Sequence, residues 1–247
     1  MKNKLPSIIL MCIILLLWQI IAMMIDAHYV LPSPVQILQK LWLLREPLIL
    51  VHLPATIKVT FIGILISVVF GISLAVAMDI SPLIKSSLYP IIVASQTIPT
   101  TAIAPLFVLW FGYSIWSRVL VTVLITFFPI VVAVHDGFQS SKREMEELLY
   151  TYGATKKDVF CKVKIPSALP HFFSGVKMAI PLSLIGAAIG EWLGSQEGLG
   201  YFSKRMMTQL DGAGVFAPIV LLSVVAMLLV GIVSLIEKKS VAWRNEL

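Results

Sequence analysis

Charged residues are scarce in this chain. Asp, Glu, Lys and Arg make up 13% of its 247 residues, whereas soluble domains carry about 25%. Hydrophobic residues reach 58%, and the mean hydropathy is +0.94. The composition therefore argues against a water-soluble globular fold. It also argues against disorder, because disordered chains are polar and rich in charge.

Cysteine is rare as well. Cys12 lies in an apolar stretch and Cys161 in a basic segment, so they predict neither a disulfide framework nor a metal site. The histidines are scattered near the ends of apolar stretches, which favours interfacial side chains over metal ligands. They are His28, His52, His135 and His171.

The sequence lacks the common motifs of nucleotide binding and catalysis. It contains no G-x-x-x-x-G-K-[ST] phosphate loop. It contains neither G-x-S-x-G nor H-E-x-x-H. We therefore expect that the chain is not an enzyme and that it binds no metal or cofactor of its own.

Long apolar stretches, by contrast, are frequent. Six of them approach the roughly 20 residues that a membrane-crossing helix needs. Each is predicted to be helical, because an isolated segment in lipid must satisfy its backbone hydrogen bonds internally. The predicted spans are 7–25, 59–78, 88–111, 116–134, 172–193 and 214–236. The sequence thus predicts an all-α membrane protein with one transmembrane domain over residues 1–247.

The first span has an alternative interpretation. Lys2 and Lys4 precede it, as basic residues precede the apolar region of a signal peptide. The apolar run is long for that purpose, and no small-x-small cleavage site clearly follows it. Retention as a membrane helix is therefore favoured.

The distribution of Lys and Arg predicts the orientation, because cytoplasmic loops carry an excess of both. With the N-terminus inside, the inner segments hold Lys2, Lys4, Lys85, Lys142, Arg143, Lys156, Lys157, Lys162, Lys164, Lys238, Lys239 and Arg244. The outer segments hold Lys40, Arg45, Arg118, Lys204 and Arg205. Both termini and the segment 136–171 are therefore predicted to be cytoplasmic. This asymmetry accounts for the net charge of +6 without a nucleic-acid partner.

Ionisable side chains inside the predicted spans are few. Lys177 and Glu191 both lie near the end of a span. A proton- or ion-coupled pump usually keeps such groups deep in the membrane. The pattern therefore argues against transport that this chain powers by itself.

Small residues recur at every fourth position in two spans. They are Gly63, Ser67, Gly71 and Ala75 in the second span, and Gly186, Gly190 and Gly194 in the fifth. This spacing puts each set on one helical face, where small side chains let helix backbones approach closely. The faces could surround a pathway, form a subunit interface, or pack within the chain.

The third span is polar and contains two prolines. Pro99 and Pro105 are predicted to break its hydrogen-bond ladder, with nearby hydroxyl and amide groups satisfying the freed backbone. Such a helix could line a translocation pathway or could be a structural kink. The pathway candidates are Gln96, Thr97, Pro99, Thr100 and Thr101, with Ser183 and Glu191 from the fifth span.

The cytoplasmic segment 136–171 is predicted to form two short helices around a turn. Leu148, Leu149 and Tyr152 recur at helical spacing, and Gly153 can end that helix. Thr155 can cap the next helix, with Asp158 three residues on as an acidic version of a capping box. Pro166 is then predicted to end the second helix. Because the segment is basic and partly apolar, we expect a docking surface.

This segment resembles the EAA motif of permease subunits of ABC importers, E-A-A-x3-G-x9-I-x-L-P. The matching residues are Glu147, Gly153, Val163, Ile165 and Pro166, while Leu148 and Leu149 replace the two alanines. The resemblance implies a coupling helix that sits in a cleft of a cytoplasmic ATPase, with Tyr152 and Ala154 in the same surface.

Two further stretches indicate which type of ABC importer permease the chain resembles. Ile98-Pro99 followed by A-P-L-F-V-L-W-F-G at 104–112 is similar to the third span of nitrate/sulfonate/taurine-type permeases. E-W-L-G at 191–194, followed by G-L-G-Y at 198–201, is similar to the end of their fifth span. The likeness runs from about residue 31 to residue 243.

The resemblance implies the fold of a type I ABC importer permease in a bacterial inner membrane. Its implied partners are cytoplasmic ATPase subunits, which carry the ATP and magnesium, an external solute-binding protein, and a second permease copy. The tail that ends a span in Glu-Lys-Lys before Trp-Arg resembles the thiamine-precursor (hydroxymethylpyrimidine) or riboflavin branch. Sulfonate, taurine and nitrate stay open as cargo, and a secondary transporter or an integral-membrane enzyme is the alternative from another class.

Overall fold

The computed structural model describes residues 5–25, 27 and 29–241, and all regular structure in these ranges is helical. Its helices are α1 (Leu5–Ile25), α2 (Pro34–Leu43), α3 (Arg45–Ile80), α4 (Pro82–Ser95), α5 (Thr100–Phe111), α6 (Ile115–Gln139), α7 (Arg143–Thr151), α8 (Lys156–Gly194), α9 (Leu199–Thr208) and α10 (Gly212–Ser240). The predicted all-α architecture is confirmed. Lys2, Lys4, His28 and Arg244, which entered the predictions, lie outside the described residues.

Five helices are long and apolar enough to cross a membrane, namely α1, α3, α6, α8 and α10. The pair α4 and α5 passes the same test together, but its two halves are bent by 96°. The third predicted span, 88–111, is therefore not a straight helix. It breaks because Pro99 disfavours the helical conformation of the residue before it, and the chain becomes helical again at Thr100.

Pro105 removes one bond from the hydrogen-bond ladder, because proline has no backbone N–H, but it does not end the helix. Pro105 lies inside α5, which continues from Thr100 to Phe111. A membrane helix tolerates such a proline, because its surroundings can satisfy the one backbone group that the proline frees.

The prediction that Pro166 ends a short helix is wrong, because α8 continues for 39 residues from Lys156 to Gly194. Pro166 stands two residues after the π-helical stretch Phe160–Lys164. The wider hydrogen-bond register there accommodates a residue without an N–H. Pro54 stands in the same place after the π-helical stretch Leu48–His52 of α3.

Helix α6 forms the centre of the molecule, with α3 on one side and α8 on the other. Thr122 of α6 is fully buried between two glycines. A Cβ on Gly63 of α3 would lie 2.5 Å from Thr122 Cγ2, and a Cβ on Gly186 of α8 would lie 2.9 Å from Thr122 Cα. Both helices therefore approach α6 more closely than any side chain at these glycines would permit.

The other small residues of the two faces also pack within the chain. Ser67 Oγ and Thr126 Oγ1 are joined by a hydrogen bond of 2.6 Å. Gly71 lies against Ile130 and Gly190 against the Arg118 backbone. Ala75 joins the same apolar cluster as Ile130, and Gly194 lies against Val108 and Tyr113.

Candidate functional site

The elbow segment (residues 143–166) comprises α7, a turn and the start of α8. The turn is a Schellman motif, in which the Ala154 N–H donates to Leu149 O at 3.0 Å and the Gly153 N–H donates to Tyr150 O at 2.9 Å. Gly153 has a φ of +79°, a left-handed conformation that glycine adopts at little cost. The helix therefore ends at this glycine, as the sequence predicts.

The second arm of the elbow segment begins with the predicted acidic capping box. The Asp158 N–H donates to Thr155 Oγ1 at 3.2 Å, and the Thr155 N–H donates to Asp158 Oδ2 at 3.0 Å. These reciprocal bonds satisfy two backbone donors that the helix start would leave free. With both arms capped, the turn has a defined geometry.

An apolar surface lies on the first arm of the elbow segment. Tyr152 is 81% exposed and Leu148 is 50% exposed, and Met145 is exposed beside them. Leu149 and Ala154 are half-buried, and Val163 of the second arm is buried. Among the described residues, none covers this surface, so it is suited to a partner.

The exposed ion pair on the first arm of the elbow segment contributes little to its stability. Glu147 accepts a hydrogen bond from Arg143 Nε at 2.8 Å, and both side chains are largely exposed. An exposed pair of this kind contributes at most about 1 kcal/mol. Ile165 is 44% exposed and Pro166 is half-buried, so they continue the surface along α8.

An ion pair ties the elbow segment to α3. Lys164 Nζ donates to the two carboxylate oxygens of Asp79 at 2.9 and 3.0 Å, and Gln139 Nε2 donates to Asp79 Oδ1 at 3.3 Å. The Asp79 side chain is only 5% exposed. This pair was not predicted; its one signal in the sequence is an acid, Asp79, directly after the second predicted span.

Most of the pathway candidates lie together at the break between α4 and α5. Gln96, Thr97, Pro99 and Thr101 are exposed there, and Thr100 is half-buried. Thr97 Oγ1 donates to Ala94 O at 2.7 Å. The Thr97 N–H donates to the same oxygen at 3.0 Å, so Thr97 provides two hydrogen bonds to a carbonyl at the end of α4.

Ser183 and Glu191 do not join this group of exposed residues. Both are fully buried in α8. Ser183 Oγ donates to Ile180 O at 2.6 Å within its own helix. In this protomer neither side chain presents surface to a pathway.

Glu191 belongs instead to a set of buried side chains that binds the start of α9. We call this set the outer clamp, after the side of the membrane predicted for it. Three consecutive backbone N–H groups donate to it: Gly198 to His52 Nδ1 at 3.2 Å, Leu199 to Thr56 Oγ1 at 2.8 Å, and Gly200 to Glu191 Oε2 at 2.8 Å. These are the donors that a helix start leaves free. Helices α3 and α8 are thereby joined through α9. The one sign of this clamp in the sequence is Glu191 at the end of the fifth predicted span, followed by G-L-G at 198–200.

Comparison with known proteins agrees with this architecture. The family model "Binding-protein-dependent transport system inner membrane component" matches residues 63–241. The formylaminopyrimidine transport permease protein ThiX of Halalkalibacterium halodurans is 52% identical over 233 residues, covering 94% of this chain and 93% of that protein. The riboflavin transport system permease protein RibX of Chloroflexus aurantiacus is 31% identical over 216 residues, covering 87% and 81%.

A solved structure shares the fold. The crystal structure of an amino acid ABC transporter with histidines has a TM-score of 0.60 and 18% identity, covering 77% of this chain and 91% of its own. Permeases named for sulfonate, taurine and nitrate transport are also among the relatives, so the resemblance drawn from the sequence is confirmed. The chain belongs to the family of inner membrane components of binding-protein-dependent transport systems.

Proposed function

We propose that this chain is the permease subunit of an ATP-driven importer, with its termini and elbow segment in the cytoplasm. Two copies would form the channel, cytoplasmic ATPase subunits would bind the elbow segments, and an external solute-binding protein would deliver the cargo. The observation that supports this most is the exposed apolar surface of α7, because buried aromatic and apolar anchors supply most of the energy of a docked interface.

The proposed mechanism is alternating access. Binding of ATP closes the ATPase dimer and draws the docked elbow segments together. Since Lys164 and Asp79 join α8 to α3 at this end, both helices follow the movement. The channel between the two copies then opens toward the binding protein. This chain contributes positioning and movement, and the partner subunits supply the energy.

The coupling step is tested by Gly153→Asp. Space around Gly153 is open, so the permease is expected to reach the membrane at its normal level. The new side chain would project from the docking surface, and transport in a reconstituted complex should be lost. Normal transport by this variant would contradict the coupling role of the elbow segment.

The cytoplasmic placement of the elbow segment is tested with its own cysteine. Cys161 is exposed in the second arm, and Cys12→Ser leaves it as the chain's remaining thiol. A membrane-impermeant maleimide should label Cys161 in inside-out vesicles and spare it in intact cells. Labelling of intact cells would overturn the orientation.

The proposed cargo is a neutral aminopyrimidine of the thiamine-precursor type, with riboflavin as the second candidate. The 52% identity to a permease named for formylaminopyrimidine transport supports this cargo. The side chains at the α4–α5 break support it too, because Gln96, Thr97 and Thr101 are neutral and exposed. Sulfonates, taurine and nitrate are anionic or zwitterionic and would find no charged group among these three.

The cargo is tested on the system's own solute-binding protein. Formylaminopyrimidine is expected to raise its melting temperature, whereas taurine and nitrate should leave it unchanged. Vesicles that contain this chain alone test the other function class. If they accumulated solute against a gradient without an ATPase, the chain would be a secondary transporter.

A further inference from the structure

A cavity of about 710 Å³, lined by both charged and apolar side chains, opens at the predicted outer end of the molecule. It lies between the start of α6, the end of α8 and the helix α9. Its lining includes Tyr113, Arg118, Trp192, Tyr201, Lys204 and Arg205. Three of the five Lys and Arg residues predicted for the outer side therefore meet in this one place.

None of these three cations forms an ion pair within the described part of the chain. Lys40 and Lys177, by comparison, pair with Asp211 and Glu237 at 2.6 and 2.7 Å. Lys204 Nζ donates to a backbone carbonyl, Trp192 O, at 2.6 Å. Among the cavity's lining residues Glu197 is the one acid, so the lining carries an excess of positive charge.

The guanidinium of Arg118 has N–H donors that make no hydrogen bond in the described part of the chain. Its Nη1 donates to Ser195 Oγ at 2.9 Å, while its Nε is buried without a partner. No ion pair joins Arg118 to Glu191, which accepts a hydrogen bond from the Gly200 N–H at 2.8 Å. A planar guanidinium can donate two parallel hydrogen bonds to a carboxylate.

We propose that this cavity receives an acidic side chain of the solute-binding protein. The inference rests on the proposed function, which places that protein on this side of the membrane. Charge complementarity favours an anionic partner, and the proposed cargo is neutral and needs no cation. Exposed Tyr113 and Trp192 beside arginines give the cavity the residue types that dominate protein–protein interfaces.

The structure holds this cavity in a fixed shape. The outer clamp fixes residues 198–200, which follow the cavity wall formed by Ser195 and Glu197. On the opposite wall, Gly190 lets α8 approach the Arg118 backbone, where a Cβ would lie 2.9 Å from Arg118 Cα. A pre-formed cavity loses little conformational freedom when its partner binds.

The test uses the permease–ATPase complex in nanodiscs with the system's own purified solute-binding protein as the probe. Arg205→Glu should weaken binding of that protein at least tenfold and reduce the dependence of the affinity on salt. The matched control is Arg45→Glu, since Arg45 is another predicted outer cation and stacks on Trp42 outside the cavity. That control should keep wild-type affinity. The ATPase content of each purified complex verifies assembly.

Two outcomes would overturn the inference. One is a binding affinity for Arg205→Glu and for Lys204→Gln that stays within twofold of wild type. The other is unchanged binding of the protein with a raised KM for cargo, because the cavity would then hold the cargo. Failure of the proposed function would differ from both, since the unaltered complex itself would then neither bind the protein nor transport.

Discussion

Gly198 lies directly against the carboxylate of Glu191. A Cβ built on Gly198 would stand 2.2 Å from Glu191 Cδ, which is far inside van der Waals contact. Gly198 also has a φ of +112°, where residues with a side chain are strained. The contact lets the Gly198 and Gly200 N–H groups reach the outer clamp.

The first prediction concerns this contact. Gly198→Ala should destabilise the detergent-solubilised permease by more than 3 kcal/mol, because it adds a steric clash to the backbone strain. The control is Gly112→Ala, since Gly112 also has a positive φ, +63°, but nothing within 4 Å of its missing Cβ. This variant should cost less, about 1–3 kcal/mol, because its strain comes from the backbone conformation alone (φ +63°, ψ −161°). Equal thermal unfolding temperatures for the two variants would contradict the clash.

The second prediction concerns the packing of α3 on α6. Gly63→Ala should lower stability by about 1–3 kcal/mol, because overpacking forces the two helices apart at Thr122. Gly231→Ala, in α10, meets nothing within 4 Å and should leave stability unchanged or slightly higher. Size-exclusion chromatography after heating measures both. A Gly63→Ala variant as stable as Gly231→Ala would show that α3 can shift freely.

The third prediction concerns the apolar surface of α7. Tyr152→Ala should weaken ATPase binding by about 2 kcal/mol or more, the loss typical of a buried aromatic anchor. The permease itself should keep its stability, because Tyr152 is 81% exposed. Tyr29→Ala removes another exposed tyrosine, at 63%, from the predicted outer side and should keep wild-type binding. Co-purification of the ATPase gives the readout, and equal recovery for both variants would count against docking here.

The fourth prediction concerns the ion pair between Asp79 and Lys164. Asp79→Ala should cost about 1.5–3 kcal/mol, because it leaves a partly buried ammonium without its hydrogen-bonded acceptor. Exchanging the two residues should recover part of that loss. Arg143→Ala removes an exposed pair and should change stability by less than about 1 kcal/mol. If Asp79→Ala behaved like Arg143→Ala, the pair would not be what ties α8 to α3.

Local signals predicted much of this structure. The span lengths, Gly153 at the end of α7 and the Thr155–Asp158 capping box all follow from residues that are neighbours in the sequence. The family followed from the same kind of signal, in the spacing of Glu147, Gly153 and Pro166.

The features that the sequence did not predict depend on contacts between residues that are distant in the chain or on an irregular helical register. Pro166 lies within α8 because residues Phe160–Lys164 adopt a π-helical register, and no pattern in the sequence predicts that register. The outer clamp joins His52 and Thr56 to a turn more than 140 residues away. Such pairings depend on how the helices pack, so a span-by-span interpretation assigned Glu191 to a pathway when its carboxylate is buried against α9.

Helix α8 has a mechanical consequence. At about 1.5 Å per residue, its 39 residues extend roughly 58 Å, nearly twice the thickness of a bilayer's hydrocarbon core. One continuous helix thus starts in the second arm of the elbow segment and ends at Gly194, in the wall of the cavity that Arg118 and Arg205 line. If partner subunits displace the first turn of α8, as proposed, the displacement can reach the far end within a single element, because both ends belong to one continuous helix.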